Sequence, residues 1–400
     1  MKRFLFTILF SLSLITTFAA HIKGGFFTYT YLGPGIVNPS LLRYKITLTI
    51  YMVCNPNAGQ LTDSIYLTIF NGNGSVQIAN PLVRKSPEYN LGKIADDQCI
   101  TGDQSGCYYT IVSYPLDNYE LPATADGYTI SYQRCCRIAN MDNVQNSGQV
   151  GNTYTIKIPG TSSPVPNANQ NSSPNFSVND TAVVCGGSFF SFPLQAVDPD
   201  GDSLTYSLCA AFEGGSVADA SPFPSAPPPY NFVTYDGAYS GGQPMGNKVT
   251  IDSKTGLLSG VAPFIAFSGE YVITVCVAEY RNGVLFAESR KELHIRVRDC
   301  VPIKARLDPK PVTCDGFSVD FSNAETLPSG TTYLWNFGDP GSGADSISNQ
   351  STPKHIYTDT GIYKVKLVVT SGGFCSDSAL RWYSFKIRKE TRVHFYHQQC

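Results

Sequence analysis

Three carboxylates fall within one short turn-forming stretch, Asp198-Pro-Asp200-Gly-Asp202. Alternating acids in a turn bring hard oxygens towards one point, which suits a divalent cation such as calcium. The spacing reproduces the first, third and fifth positions of a calcium loop. Ser203 then stands where glycine would follow, and Cys209 where a bidentate glutamate would close the shell, so this is no EF-hand. Asp252, Asn179 and Asp180 are further donors for an intermodular site. The plain alternative is a solvated Asp-Gly turn. Other reactive residues are scattered. Asp339 follows Gly338 and is expected to cap the N–H groups of its own turn. His21 would chelate copper only as the first residue of the mature chain, with a second histidine from His294, His355, His394 or His397. His394, His397 and Cys400 could clamp a metal, against the simpler reading of a frayed tail. The G-x-S-x-G, H-E-x-x-H, Walker and dinucleotide-binding patterns are missing. A glycosidase carboxylate pair would leave no local signature. The expectation is a protein that is not an enzyme.

Twelve cysteines, none in a C-x-x-C pair, read as disulfides of an exported chain rather than as zinc ligands. Cys314–Cys375 is the first expected bridge, since both flank core strands, and Cys209–Cys276 the second. Cys185 and Cys300 bracket the same stretch as the second pair and are expected to close it.

The frame around these residues is all-β. After residue 20, no stretch of ten residues shows helical periodicity, whereas short alternating runs rich in Tyr, Thr, Val and Ile recur between Gly, Pro, Asn and Ser. Trp335 lies on the inward stripe Tyr333, Trp335, Phe337 and belongs to a core, not to a sugar-stacking platform. The length of 400 residues suggests two or three domains, and a hydrophobic fraction of 42% suffices for several cores. A net charge of -2, with 15% charged residues and no Lys/Arg run, excludes a nucleic-acid footprint. Lys2-Arg3, the apolar stretch Phe4 to Phe18 and Ala19-Ala20 read as a signal peptide. Thr17 and Ala19 favour cleavage after Ala19. No later run approaches the ~18 apolar residues of a membrane span. The protein is expected to be exported, at the cell surface or secreted, with the periplasm as the remaining compartment.

The chain divides into a signal peptide (1–20), an N-terminal β-sandwich-like module (21–160), a Ser/Pro/Asn-rich linker (161–175), a second sandwich (176–300), a third (301–388) and a tail (389–400). The second and third share a faint repeat: Gly269-x-Tyr271-x-Ile273-x-Val275 aligns with Gly361-x-Tyr363-x-Val365-x-Leu367. The fold class is therefore tandem Ig-like β-sandwich modules. The Pro-rich insert Ser221 to Tyr230 is expected to be an exposed, extended loop.

Trp335-x-Phe-Gly-Asp339, His355-x-Tyr357 and Gly361-x-Tyr363-x-Val365-x-Leu367 together resemble a PKD domain over Val301 to Arg388. Asp359-x-Gly361-x-Tyr363 looks like a tyrosine corner. The resemblance implies an extracellular binding or spacer module without catalytic residues. The Asp198–Asp202 stretch, with Thr255-Gly-Leu-Leu-Ser-Gly260, resembles the cadherin-like or putative-Ig modules of bacterial surface proteins. The opening His21-Ile-Lys-Gly-Gly25 is similar to the start of multi-module surface proteins of the Bacteroidetes. These readings point to a non-catalytic adhesion or spacer protein with an extracellular protein or polysaccharide partner. The second expectation is a carbohydrate-recognition accessory protein, using Tyr230, Tyr235 and Tyr239 as exposed aromatics near the Pro-rich insert. A polysaccharide-active enzyme comes third. No cofactor other than calcium is expected.

Overall fold

A computed structural model describes residues 22–54, 61–92, 107–177, 183–264, 268–298, 303–307, 317–371 and 375–385. The signal peptide, Asn179, Asp180, Cys300, Cys314 and the 389–400 tail lie outside them. The regular elements among the described residues are strands, with three short 3-10 turns. No described helix is long and apolar enough to cross a membrane.

The first strand decides the architecture. Ile22–Pro34 opens with six consecutive buried residues, IKGGFF, so its first half has no solvent face. A strand buried on both sides needs a neighbour at each edge and a layer on each face. It pairs with Leu41–Met52 at one edge and with Val284–Arg298 at the other. The result is one eight-stranded sheet: Ser203–Cys209, Ser268–Arg281, Val284–Arg298, Ile22–Pro34, Leu41–Met52, Cys107–Pro122 and Tyr89–Gly92 in order, with Val183–Cys185 parallel to Val284–Arg298. Adjacent residues feed opposite faces, as the pleat requires. Phe26 enters a core with Phe190, Phe192, Leu258 and Ile295, whereas Phe27 enters another with Leu48, Ile69, Ile130 and Ile156. The first core is closed by the sheet Phe189–Pro193, Leu257–Val261, Val249–Ile251, and the second by Asn152–Ile158, Tyr128–Arg134, Thr68–Asn71, Gln77–Ala79.

This revises the expected separation of the first two modules, because their strands are hydrogen-bonded in one sheet. The stretch 161–175 is likewise no free linker. Asn171, Ser172 and Ser173 are buried. Ser173 exchanges backbone bonds with Tyr29, donating its N–H to the Tyr29 carbonyl (2.9 Å) and accepting the Tyr29 N–H on its hydroxyl (2.9 Å). Its small polar side chains satisfy the backbone of a strand whose own neighbours do not reach. The Pro-rich insert is also docked rather than free: Ser225 donates its N–H to Thr68 Oγ1 and Ala226 to Gln133 Oε1, both at 2.9 Å, and the Phe223 ring lies 4.7 Å from Tyr66.

The C-terminal domain has its own core around Trp335, Phe337, Phe321 and Tyr357. Its four-stranded sheet runs Ile347–Ser348, Thr332–Asn336, Gly361–Ser371, Cys375–Phe385. Trp335 is fully buried and donates its indole N–H to the Gln350 carbonyl at 2.9 Å. Tyr363 donates its hydroxyl hydrogen to the Asp359 carbonyl at 3.0 Å, the bond of a tyrosine corner.

Gly24 has φ +128°, and a Cβ there would strike the Glu292 backbone across the seam. Gly24→Ala is therefore expected to cost about 1–3 kcal/mol through overpacking. A lowered urea midpoint with an unchanged slope would show it. An unchanged midpoint would mean that the strand pairing is wrong.

Candidate ligand-binding groove and acidic turn

The acidic turn forms as a compact cluster. Gly201 takes φ +80°, which folds the chain so that one ligand oxygen each of Asp198, Asp200 and Asp202 lies within 4.8 Å of the others. Asp198 Oδ1 accepts the N–H groups of Asp200 and Asp202, each at 2.9 Å. Asp200 Oδ2 accepts the Ser172 N–H at 2.6 Å. Asp202 is held at both oxygens by Arg281, Nε at 2.7 Å and Nη2 at 2.6 Å. The guanidinium, at the end of the Ser268–Arg281 strand, thus stands where a cation would. Asp252 is engaged elsewhere: its Oδ1 accepts the N–H groups of Lys254 (3.0 Å) and Thr255 (2.8 Å) and the Thr255 hydroxyl. The N–H and hydroxyl of Thr255 hold its carboxyl below the ordinary value. Asp198 Oδ2 is buried and meets no donor among the described residues.

Behind the cluster lies a buried acid that no motif marks. Glu279 is fully buried and accepts the Asn171 amide at 2.8 Å, and Asn171 in turn accepts Arg281 Nη2 at 2.8 Å. Burial first, then the Asp198 and Asp202 charges, together raise the Glu279 carboxyl to about 8 against the opposing Asn171 and Ser289 bonds.

Of the expected aromatics, Tyr230, Tyr235 and Tyr239 are half-buried and spent on internal contacts, which corrects their reading as exposed platforms. Tyr235 accepts the Ala211 N–H at 3.0 Å, and Tyr239 packs edge-on to Tyr271. Phe232 presents an exposed ring, 57% accessible. It stacks on Phe212 at 5.2 Å and 8°, and the Arg290 guanidinium lies 4.0 Å over the other side of Phe212. Arg137 fixes Phe212 from beneath, donating to its carbonyl at 2.8 Å while paired with buried Glu292. This stack lines a groove of about 670 Å³, walled by Ile156, Pro228, Tyr230, Leu285 and Phe286. On the other side of the Pro229–Tyr230 ridge lies a polar cleft of about 560 Å³ bearing Gln133, Gln149, Glu213, Asp219 and Asn231. Only the tertiary fold brings these segments together. The paired Phe212 and Phe232, flanking a Pro-rich run, were the available signal.

The remaining expected sites resolve variously. Cys209 and Cys276 are joined, S–S 2.08 Å, diagonally across neighbouring strands. Cys185 is disulfide-bonded, and the Cys375 side chain lies outside the described residues. Adjacent Cys135 and Cys136 are bonded to each other, a pairing that spacing did not suggest. Asp339 does not cap its turn: its carboxylate meets His355 Nε2 at 3.2 Å, with the imidazole stacked 4.3 Å from Phe337. His294 is fully buried, and burial, together with the Arg137 and Lys23 charges, lowers its basicity so that it stays neutral. His21, His394, His397 and Cys400 fall outside the described residues.

Residues 301–381 match the PKD-domain family. No curated protein matches the chain. Solved structures that overlap it include a Dscam structure on isoform specificity (12% identity, TM-score 0.19, covering 92% of this chain and 73% of that one). Drosophila N-cadherin EC1-4 is similar at 14% identity and TM-score 0.20, covering 79% and 70%. Protocadherin Gamma B2 extracellular cadherin domains 3-6 overlap at 14% and 0.19, covering 90% and 93%. At such scores the overlaps carry no argument here.

The Glu279 carboxyl titrates in the folded state near 8, above its ordinary 4.5, so the folded protein binds the extra proton between those values. Its stabilising contribution is complete below about 4.5 and lost as pH rises through about 8. Urea midpoints are expected to fall between pH 5 and pH 8, and Glu279→Gln to flatten that fall. Because Arg281 already serves Asp202, millimolar calcium is expected to leave the melting temperature unchanged. A rise that vanishes in Asp198→Asn would instead establish a calcium site.

Proposed function

We propose that this is a non-catalytic, extracellular adhesion-type protein that engages a partner in the groove beside the Pro-rich ridge and uses its C-terminal PKD-like domain as a spacer. The observation that carries this reading is the Phe212–Phe232 stack, held by Arg290 and Arg137, with its outer ring open to solvent. An ordered, exposed aromatic in a concave apolar site is the composition of a binding hot spot. The match of residues 301–381 to the PKD family supports the extracellular setting. So does the leader pattern of residues 1–20. The joining of two cores through one sheet supports a stiff element that bears load rather than a hinged one.

A second reading, carbohydrate recognition, is favoured by the polar cleft. Amides and carboxylates such as those of Gln149, Asp219 and Asn231 suit sugar hydroxyls, and Tyr230 adjoins both cavities.

A glycan array and a panel of surface-protein fragments, probed with the full chain, should give saturable binding. Phe232→Ala is expected to weaken it about tenfold or more while leaving the fold intact. Binding unaffected by Phe232→Ala would remove the groove from the account, and turnover of any glycan would overturn the non-catalytic reading.

A further inference from the structure

The four-stranded sheet of the C-terminal domain buries one face and leaves the other bare. Val365, Leu367 and Val369 point inward, whereas Ile362, Lys364, Lys366 and Val368 point outward. Register places Lys364 opposite Trp382, Lys366 opposite Leu380, and Val368 opposite Leu334 and Ser378. Trp382 is 61% exposed, and the outward Ile362, Leu380 and Leu334 are exposed as well. Apolar side chains of this size normally turn inward, so their concentration on one solvent face marks a contact surface. Charge on that face is one-sided. Its described outward positions carry two lysines and no carboxylate, the others being apolar, with Ile347 at the far edge, or uncharged Thr, Asn and Ser. The nearby acid on the edge strand, Asp377, is turned inward and accepts the Ala305 N–H at 2.9 Å. Lys364 Nζ sits 5.6 Å from the Trp382 ring centroid, and Lys366 follows about 7 Å further along the strand.

We propose that this face binds an anionic polysaccharide, with a sugar ring stacked on Trp382 and its carboxylate or sulfate groups paired with Lys364 and Lys366. An exposed indole with cations spaced along the neighbouring strand matches a polymer of rings with repeating charges, which needs only a platform and flanking cations. A membrane surface is the poorer fit, since two lysines fall short of the roughly four to eight clustered cations that bind anionic lipid. This site is separate from the groove and does not depend on it.

The chain has two tryptophans, and Trp335 is fully buried, so accessible indole fluorescence reports on Trp382. The full chain would be titrated with polygalacturonate, dextran sulfate, neutral dextran, polyglutamate and phosphatidylserine vesicles, following emission and acrylamide quenching. Saturable protection by the two anionic glycans, absent with dextran and weakened by salt, is expected. Binding measured by sedimentation should fall about tenfold or more in Trp382→Ala. In the Lys364→Gln/Lys366→Gln double variant it should fall about 2- to 30-fold. Phe232→Ala should leave the signal unchanged, which separates this site from the groove. No saturation with either anionic glycan, an equal response to dextran, or binding unaltered in Trp382→Ala would overturn the proposal. Equal affinity for polyglutamate would show that charge alone is read, and preference for the vesicles would assign the face to lipid; either result refutes the glycan.

Discussion

A strand whose first half has no solvent face sets the terms for the two joined sandwiches of this protein. Ile22–Pro34 has neighbours on both edges and a core above and below, so the two sandwiches that share it cannot be pulled apart without exposing Phe26 on one side and Phe27 on the other. Each such ring contributes about 1.5–3 kcal/mol when fully buried. Several large side chains meet at the seam, so apolar burial dominates its energetics. The ionic contacts there have another role. Lys23–Glu270 and Arg137–Glu292 are buried pairs, whose desolvation cost largely offsets their attraction. Their contribution is to penalise any register in which one charge would lose its partner.

The same seam creates the groove. The Pro-rich insert leaves the second sandwich but docks on the sheet of the first, through Ser225 and Ala226. Its ridge adjoins the 152–158 strand, and Phe212 is held by Arg137 at its carbonyl and by Arg290 over its ring. A concave site at the meeting of two sandwiches follows from joining them, and neither half would form it alone.

The polar network behind the Asp198–Asp202 turn shows a comparable economy. Arg281, Asn171 and Glu279 connect the turn, the 161–175 strap and the central sheet in one hydrogen-bonded chain. A protonated Glu279 and an arginine-bound Asp202 leave little uncompensated charge in a confined place. That arrangement makes the cluster a brace between segments, whatever its affinity for ions.

Local pattern was enough for part of this. Alternation at Tyr333–Phe337 and Tyr363–Val369 placed Trp335 in a core and marked the tyrosine corner, because a pleated strand exposes alternate residues whatever surrounds it. The turn at Asp198–Asp202 was equally legible, since Gly201 and short acidic side chains act within a few residues. Three features were decided by the tertiary structure alone. The partner of Ile22–Pro34 at its second edge lies some 270 residues away, and an unalternating apolar run says that an edge is filled without saying by what. Arg281 as the counter-charge of Asp202, and His355 as the hydrogen-bond partner of Asp339, depend on which strands become neighbours. The placement of Phe232 in solvent, and of Tyr230 partly beneath it, depends on where a proline-rich segment comes to rest. Sequence fixes periodicity through bonded geometry, but long-range pairing is settled by which surfaces bury best together.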